Sequence, residues 1–202
     1  MSATVQSGKD EVEVPQRRII YVPWRGDLAG DFKPPKPFMN WDDRASNKTF
    51  EMYYQNHLPY VPFNFTGPTQ HVTIYVRGHG RSGSARLSPT NQEGSTDATP
   101  AGLYEDFVEG GLAKTFAGRI KFYACESGLG GAASFACQCA SLFRKNGFGE
   151  ARFFGYVGTM TGAYEPHEGE WHKFVVPGDQ RARTLRRPVQ FDANNEAYIS
   201  VI

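Results

Sequence analysis

The sequence predicts an α/β fold with a mostly parallel central sheet, and three observations support this prediction. Short apolar runs rich in Val, Ile, Phe and Tyr recur along the chain at the length of buried strands. Segments with apolar residues at helical spacing lie between several of these runs. Hydrophobic residues make up 40% of the 202, enough for a sizeable core. We expect helices on both faces of the sheet in a single domain, 17–202, after a disordered N-terminal segment, 1–16.

The first elements are a strand and a long irregular excursion. Residues 18–23 are a predicted strand that ends at Pro23. Residues 24–49 are rich in Pro, Gly, Asp and Lys, and their apolar residues follow neither the helical nor the strand periodicity. Residues 50–65 are strongly aromatic, and we expect a short helix and an extended piece there. The apolar run 71–77 is the next predicted strand.

A long polar loop and two crossover helices are expected in the middle of the chain. Residues 81–101 are rich in Ser, Thr, Gly and Pro, and loops of this length are often functional. Apolar residues at roughly helical spacing predict a helix over 102–116, and small apolar residues before Gly147 predict another over 130–146. A strand, 119–124, lies between the two helices.

After the second predicted helix, the sequence predicts further strands. The run 151–157 predicts a strand that follows the second helix, and its exit contains Gly158, Thr159 and Met160. Residues 170–176 and 196–202 are expected to form later strands or a hairpin.

Two of the predicted strands end in residues with reactive side chains. The strand 71–77 runs into Gly-His-Gly, which places His79 at its end, and the strand 119–124 runs into Cys125. Neighbouring parallel strands bring their C-terminal ends to one edge of an open sheet, where ligands bind. A thiol and an imidazole at that edge can act as a nucleophile and its base, which predicts a cysteine peptidase.

The local sequence around each residue favours this role over a structural one. A cysteine at a strand end is ordinarily a small core residue. Cys125, however, opens the glycine-rich exit Cys-Glu-Ser-Gly-Leu-Gly-Gly, a geometry that exposes the side chain and frees backbone N–H groups. We predict that the N–H groups of Gly80 and Cys125 hold an oxyanion. His79 would take the thiol proton or protonate the leaving amine.

The arrangement of these two segments resembles the caspase-like superfamily of cysteine peptidases. In that superfamily one apolar strand ends in His-Gly and a later one ends in a small residue followed by the catalytic Cys. The matching residues here are His79-Gly80 and Ala124-Cys125, and Cys125-Glu-Ser-Gly is similar to the Cys-x-Ser-Gly of metacaspases. The resemblance implies a three-layer α/β/α sandwich, a Cys–His dyad and cleavage of peptide bonds in protein or peptide substrates.

The residues that select the substrate depart from the family pattern. Metacaspases carry an acidic residue two positions before the Cys, and the corresponding residue here is Tyr123. The family's preferences for the residue before the scissile bond therefore do not transfer. We predict that Gly158, Thr159 and Met160 line the pocket for that residue.

The composition limits the classes of partner that we expect for this protein. The charge is balanced, with 22 Lys and Arg against 21 Asp and Glu, which does not favour a nucleic-acid-binding protein. No apolar run is long enough to span a membrane, and the polar start does not resemble a signal peptide. We expect a protein that stays in the cytoplasm, or an effector that a dedicated machinery secretes into a host cell. The oligomeric state is left open.

Two further motifs do not support a dinucleotide site or a zinc site. The segment 78–83 fits Gly-x-Gly-x-x-Gly after a strand, but a polar loop follows instead of the helix that a dinucleotide site needs. His167 and His172 flank Glu-Gly-Glu-Trp, which is not the spacing of a zinc-binding helix. We expect no metal and no organic cofactor.

A basic cluster near the C-terminus is formed by Arg181, Arg183, Arg186 and Arg187. The simplest interpretation is a solvated surface. The alternative is a site for an anionic activator, since the toxin self-processing domains of the same superfamily are switched on by an inositol phosphate.

Two other functions compete with peptidase activity. The chain could be a catalytically silent binding module on the same fold. It could also be another Cys-dependent enzyme, such as a deamidase or a transferase, that uses the same pair of residues.

Overall fold

In the computed structural model, the described residues are 16–32, 51–55, 62–91, 96–159, 165–167, 170–172 and 186–200. Their strands are β1 (Arg17–Val22), β2 (Glu51–Tyr54), β3 (Val72–Arg77), β4 (Arg119–Tyr123), β5 (Arg152–Tyr156), β6 (Glu165–His167), β7 (Glu170–His172), β8 (Arg186–Pro188), β9 (Gln190–Phe191) and β10 (Ala197–Tyr198). Their α-helices are α1 (Pro100–Glu109) and α2 (Phe135–Lys145), and short 3₁₀ turns occupy Gly30–Phe32 and Gly131–Ala133. The N-terminal segment 1–16, which we expect to be disordered, lies outside the described residues except for Gln16.

The central sheet has six strands in the order β2-β1-β3-β4-β5-β8. The first five are parallel, and β8 runs antiparallel to β5 at the edge. The prediction of an α/β fold with a mostly parallel sheet is confirmed. From β1 the chain adds β2 on one side, and it then adds β3, β4 and β5 in turn on the other side. The direction in which strands are added therefore reverses between β1 and β3. In sheets of this kind ligands bind beyond the carboxyl ends of the strands at such a reversal.

Both described helices lie on the same face of the sheet and pack through aromatic rings. Phe107 of α1 contacts Tyr21 of β1 at 5.2 Å and Phe143 of α2 at 5.7 Å between ring centroids. Phe143 in turn lies 5.5 Å from Phe153 of β5. Consecutive right-handed crossovers in one direction place their helices on one face, which accounts for this layer.

The two helices are shorter than the sequence predicted. Thr99 caps α1 by accepting from the amide of Gly102, and the helix ends at Gly110 because Gly111 adopts φ +87°. The predicted continuation to residue 116 is therefore wrong, although Leu112 and Phe116 still reach the core from the following loop. In the sequence these two loop residues have the spacing of a helical face, so the spacing of apolar residues alone did not show where the helix ends.

The second helix starts later than expected for a similar reason. Gly130 and Gly131 both have positive φ, and Ser134 caps the helix by accepting from the amide of Cys137. The prediction that helix begins at residue 130 is wrong, because two left-handed glycines cannot open an α-helix.

The later strands were predicted in part. Residues 170–172 pair with 165–167, and 197–198 pair with 190–191, as two antiparallel hairpins. Residues 173–176 of the predicted run 170–176 and residues 201–202 of the predicted run 196–202 lie outside the described residues. The strand β8 was missed, because its sequence Arg-Arg-Pro carries no strand pattern and it joins the sheet through the backbone of β5.

The turn after β4 is packed against β5 through two glycines. A Cβ on Gly155 would lie 2.7 Å from the Cα of Gly128 and 2.8 Å from the Cβ of Ala136. A Cβ on Gly128 would lie 2.7 Å from Ile199 Cδ1. Neither position has room for a methyl group, so the turn that follows Cys125 is held directly on the sheet.

We predict that Gly155→Ala lowers the free energy of unfolding by about 1–3 kcal/mol, because the added methyl must displace backbone atoms. Gly149→Ala is the matched control, since a Cβ there meets nothing within 4 Å, and it should change stability by about 0.5 kcal/mol or less. Urea denaturation followed by circular dichroism measures both. Equal stability of the two variants would contradict the packing described here.

Candidate active site

Three neighbouring strands deliver polar side chains to the same edge of the sheet. Asp31 lies in the 3₁₀ turn beyond β1, His79 lies two residues after β3, and Cys125 lies two residues after β4. The strands are adjacent in the order β1-β3-β4 and parallel, so all three exits face the carboxyl edge. This edge is also where the strand order reverses, so the fold brings the predicted residues to the expected binding position.

The imidazole of His79 is held by a carboxylate. Its Nε2 lies 2.9 Å from Asp31 Oδ2, and the two side chains are 27% and 55% exposed. An ionised carboxylate can only accept, so Nε2 carries the hydrogen and donates it. The other ring nitrogen, Nδ1, is left as the position that can exchange a proton with a substrate or a thiol.

Hydrogen bonds also fix the backbone of His79. Its N–H donates to the Ser88 carbonyl and its carbonyl accepts from the Ser88 N–H, both at 2.9 Å. Leu87 pairs with Ala98 in the same manner and is fully buried. The long polar loop was expected to be a functional or mobile loop, and here it returns to the sheet edge and supports the histidine.

The turn that carries Asp31 is built around a glycine and an aromatic ring. Gly30 has φ +53°, and a Cβ there would lie 2.2 Å from the Pro89 carbonyl oxygen, to which the Asp31 amide donates at 2.9 Å. Phe32 places its ring 4.9 Å from the His79 ring. Only glycine suits this close approach, so Gly30 fixes where the carboxylate of Asp31 stands.

The loop that carries His79 lies directly against the Cys125 turn. A Cβ on Gly80 would lie 2.2 Å from the carbonyl oxygen of Cys125 and 3.2 Å from the Cβ of Ala124. A side chain at position 80 would therefore push the two loops apart. This contact places the segment that carries His79 directly beside the turn that carries Cys125.

Buried hydrogen bonds fix the turn that begins at Cys125. The hydroxyl of Ser127 donates to the Phe122 carbonyl at 2.7 Å and accepts from the Tyr156 amide at 3.1 Å, and Ser127 is buried. The Gly128 amide donates to the Tyr156 carbonyl at 2.9 Å. These bonds join the ends of β4 and β5, so the position of Cys125 is set by the sheet itself.

Glu126 connects this turn with the loops on either side. Its Oε2 accepts from the Ser82 amide at 2.9 Å, and its Oε1 lies 3.5 Å from the Thr159 hydroxyl. Its own amide donates to the Gly158 carbonyl at 3.0 Å. The predicted pocket residues Gly158 and Thr159 thus contact Glu126, the residue after Cys125, whereas Met160 lies outside the described residues.

The three cysteines differ in accessibility. Cys125 is partly exposed, whereas Cys137 and Cys139 in α2 are 1% and 0% exposed. Burial raises the pKa of both helix thiols above the ordinary cysteine value, so they stay protonated at neutral pH. Both helix cysteines are therefore core residues, and Cys125 is the one of the three thiols that a solvent-borne molecule can reach.

Asp31 and Glu126 were not found from the sequence as site residues. The segment after the first strand contains several acidic residues and no periodic pattern, so nothing distinguished Asp31 from its neighbours. A usable signal is the Gly-Asp-Phe sequence beyond a strand adjacent to the histidine strand, but that adjacency is known only from the sheet order. Glu126 looked like an ordinary turn residue.

The described residues bear on only part of the predictions about metals, membranes and anions. Within the described ranges no group of three or more His, Cys, Asp or Glu could hold a metal ion. No helix in the same part of the chain is long and apolar enough to cross a membrane. Arg186 and Arg187 belong to β8, with the Arg186 guanidinium 5.5 Å from the Phe154 ring centroid. Arg181 and Arg183 lie outside the described residues, so an anion site at this cluster stays a prediction.

Comparison with protein-family models, with curated proteins and with solved structures found no match to this chain.

We predict that a small alkylating reagent modifies Cys125 well before Cys137 or Cys139, because only the first thiol is accessible. Native protein is treated with a limiting amount of iodoacetamide at neutral pH, and the modified peptides are identified by mass spectrometry. The Cys125→Ser variant should remain largely unmodified under the same conditions. Labelling of the two helix cysteines at the rate of Cys125 would contradict the burial described here.

Proposed function

We propose that this protein is a cysteine peptidase of the caspase-like type, with Cys125 as nucleophile and His79 as its acid and base. The observation that carries the proposal is the contact of the His79-Gly80 segment with the Cys125 turn at the carboxyl edge of the sheet. The partial exposure of Cys125 supports it, because a nucleophile must reach a peptide carbonyl.

The proposed reaction uses the nitrogen of His79 that does not face Asp31. Nδ1 takes the proton of the Cys125 thiol as sulfur attacks the carbonyl carbon of the scissile bond. The imidazolium then protonates the leaving amine, the C–N bond breaks and a thioester on Cys125 remains. Water, deprotonated by the same nitrogen, hydrolyses the thioester and regenerates the thiol.

The oxyanion of this reaction is assigned to the N–H groups of Gly80 and Cys125. The absence of a side chain on Gly80 supports this assignment, since a Cβ there would collide with the Cys125 carbonyl and force the two loops apart. Preorganised backbone donors of this kind commonly supply a large part of the rate enhancement.

Asp31 is assigned the role of a positioning residue for His79. Its carboxylate accepts from Nε2, which leaves Nδ1 as the nitrogen that exchanges the proton in the proposed reaction. The same carboxylate fixes the ring plane, together with the contact of Phe32. The proposed dyad thereby becomes a group of three residues on three neighbouring strand exits.

The three-layer sandwich that the family resemblance implies belongs to the same proposal. Side chains on the sheet face opposite α1 and α2 are buried, among them Ile20, Val22, Thr73 and Tyr156. Burial of that face supports a covering layer on it. A cytoplasmic or host-delivered location and an anionic activator stay predictions.

We expect Cys125→Ala to abolish peptide cleavage and His79→Ala to reduce it nearly to background. Wild type and variants are incubated with a proteome-derived peptide library in reducing buffer, and new peptide termini are counted by mass spectrometry. His71→Ala is the matched control, because His71 is exposed, immediately precedes β3 and lies at the opposite end of that strand from the carboxyl edge. Cleavage by Cys125→Ala equal to wild type would end the proposal.

The same experiment separates the competing functions. A deamidase leaves each peptide intact and shifts its mass, whereas a peptidase yields two fragments. A wild-type protein that alters no peptide, with or without a polyanion, would contradict the proposal and favour a binding module.

We predict that Asp31→Ala lowers kcat about tenfold or more with little change in KM, because the ring of His79 loses the acceptor that orients it. Asp31→Glu should recover part of the loss, since it restores a carboxylate. Asp27→Ala is the control: Asp27 lies in the same segment and is paired only loosely with Arg25, at 3.5 Å. Equal rates for the Asp31→Ala and Asp27→Ala variants would remove Asp31 from the site.

A further inference from the structure

The residue that follows the proposed nucleophile has an unusual backbone. Glu126 has φ +51°, and within the described residues it shares positive φ among non-glycine residues only with Asn195. This region is sterically unfavourable for a residue with a Cβ, and glycine would adopt it freely. Such conformations persist where the surroundings hold them and cluster at functional sites. The glutamate at this position therefore supplies something that a glycine would not.

The carboxylate of Glu126 supplies contacts across three loops. Ser82, in the loop after β3, donates its amide to Oε2 at 2.9 Å, and Thr159, in the loop after β5, places its hydroxyl 3.5 Å from Oε1. The Glu126 amide adds a bond to the Gly158 carbonyl at 3.0 Å. One residue on the β4 exit thus binds the exits of both neighbouring strands.

The loop after β3 has a second contact with the same turn. The Gly83 amide donates to the Leu129 carbonyl at 3.0 Å, and a Cβ on Gly130 would lie 2.7 Å from the Gly83 Cα. The Ser82–Glu126 bond lies between this contact and the contact of Gly80 with Cys125. The segment that carries the proposed oxyanion donor is therefore fixed to the Cys125 turn on both sides of the carboxylate.

We propose that Glu126 is a positioning residue whose carboxylate clasps the loops after β3 and β5 onto the Cys125 turn. The clasp holds the Gly80 amide where an oxyanion would develop and holds the Gly158–Thr159 segment beside the substrate. Its effect on turnover rests on the proposed peptidase function, whereas its effect on the loops does not.

Two variants distinguish the effect of the Glu126 carboxylate from the effect of the backbone conformation. Glu126→Gly keeps the left-handed turn without strain and removes the carboxylate. Glu126→Gln keeps an acceptor oxygen for the Ser82 amide and removes only the charge. Asp192→Ala is the matched control, because its Oδ1 accepts from the amides of Asn194 and Glu196 in a hairpin turn outside this site.

The first measurement is hydrogen exchange of the Ser82 amide by NMR, which needs no substrate. Exchange should rise about two- to tenfold in Glu126→Gly, because the amide loses its acceptor, and should stay near the wild-type rate in Glu126→Gln and Asp192→Ala. Unchanged exchange in Glu126→Gly would overturn the clasp.

The second measurement is peptide cleavage by the same variants. Glu126→Gly should lower kcat about tenfold or more with an undiminished thermal midpoint, since the loss comes from a displaced oxyanion donor and not from unfolding. Glu126→Gln should recover most of kcat. A full kcat in Glu126→Gly would also overturn the clasp. If the wild type cleaves nothing, the peptidase proposal fails, and the exchange of Ser82 alone decides on the clasp.

Discussion

The parallel alignment of β1, β3 and β4 is the constraint on which the rest of the site depends. Tyr21 of β1 pairs with Val76 of β3, and Arg77 of β3 pairs with Tyr123 of β4, so the three strands end nearly level. The chain reaches His79 and Cys125 two residues after β3 and β4, whereas after β1 it runs through the segment 23–30 before it reaches Asp31. A slip of one residue in any of these pairings would turn every side chain of that strand to the other face and move its exit along the edge.

Small residues and backbone hydrogen bonds turn this alignment into a fixed site. Gly30, Gly80 and Gly128 each stand where a side chain would strike the backbone or a core side chain of a neighbouring segment. At Gly30 and Gly80 the close contact is with the backbone of another segment, so the positions of Asp31 and His79 follow from the fold. The carboxylates of Asp31 and Glu126 then add polar bonds between exits that the sheet has already brought together.

The sequence was most informative where a local pattern has one dominant physical cause. Apolar runs predicted β1, β3, β4 and β5, and the rule that parallel strands share a carboxyl edge predicted that His79 and Cys125 lie at the same edge of the sheet. The end of the second helix before Gly147 was predicted correctly. The end of the first helix and the start of the second were not, because the capping residues and left-handed glycines that set them are weak signals in a long window. The strand β8 and the partner of His79 could not be predicted, since both depend on contacts between segments far apart in the chain.

The rate at which iodoacetamide alkylates Cys125 at neutral pH, in wild type and in His79→Ala, tests most directly whether the two residues act as a pair. It needs no knowledge of the substrate. If the imidazole assists loss of the thiol proton, the alkylation rate of Cys125 in His79→Ala falls roughly tenfold, while the fold is unchanged by circular dichroism. Equal rates in the two proteins would mean that His79 does not act on the thiol, and the pairing at the sheet edge would be structural only.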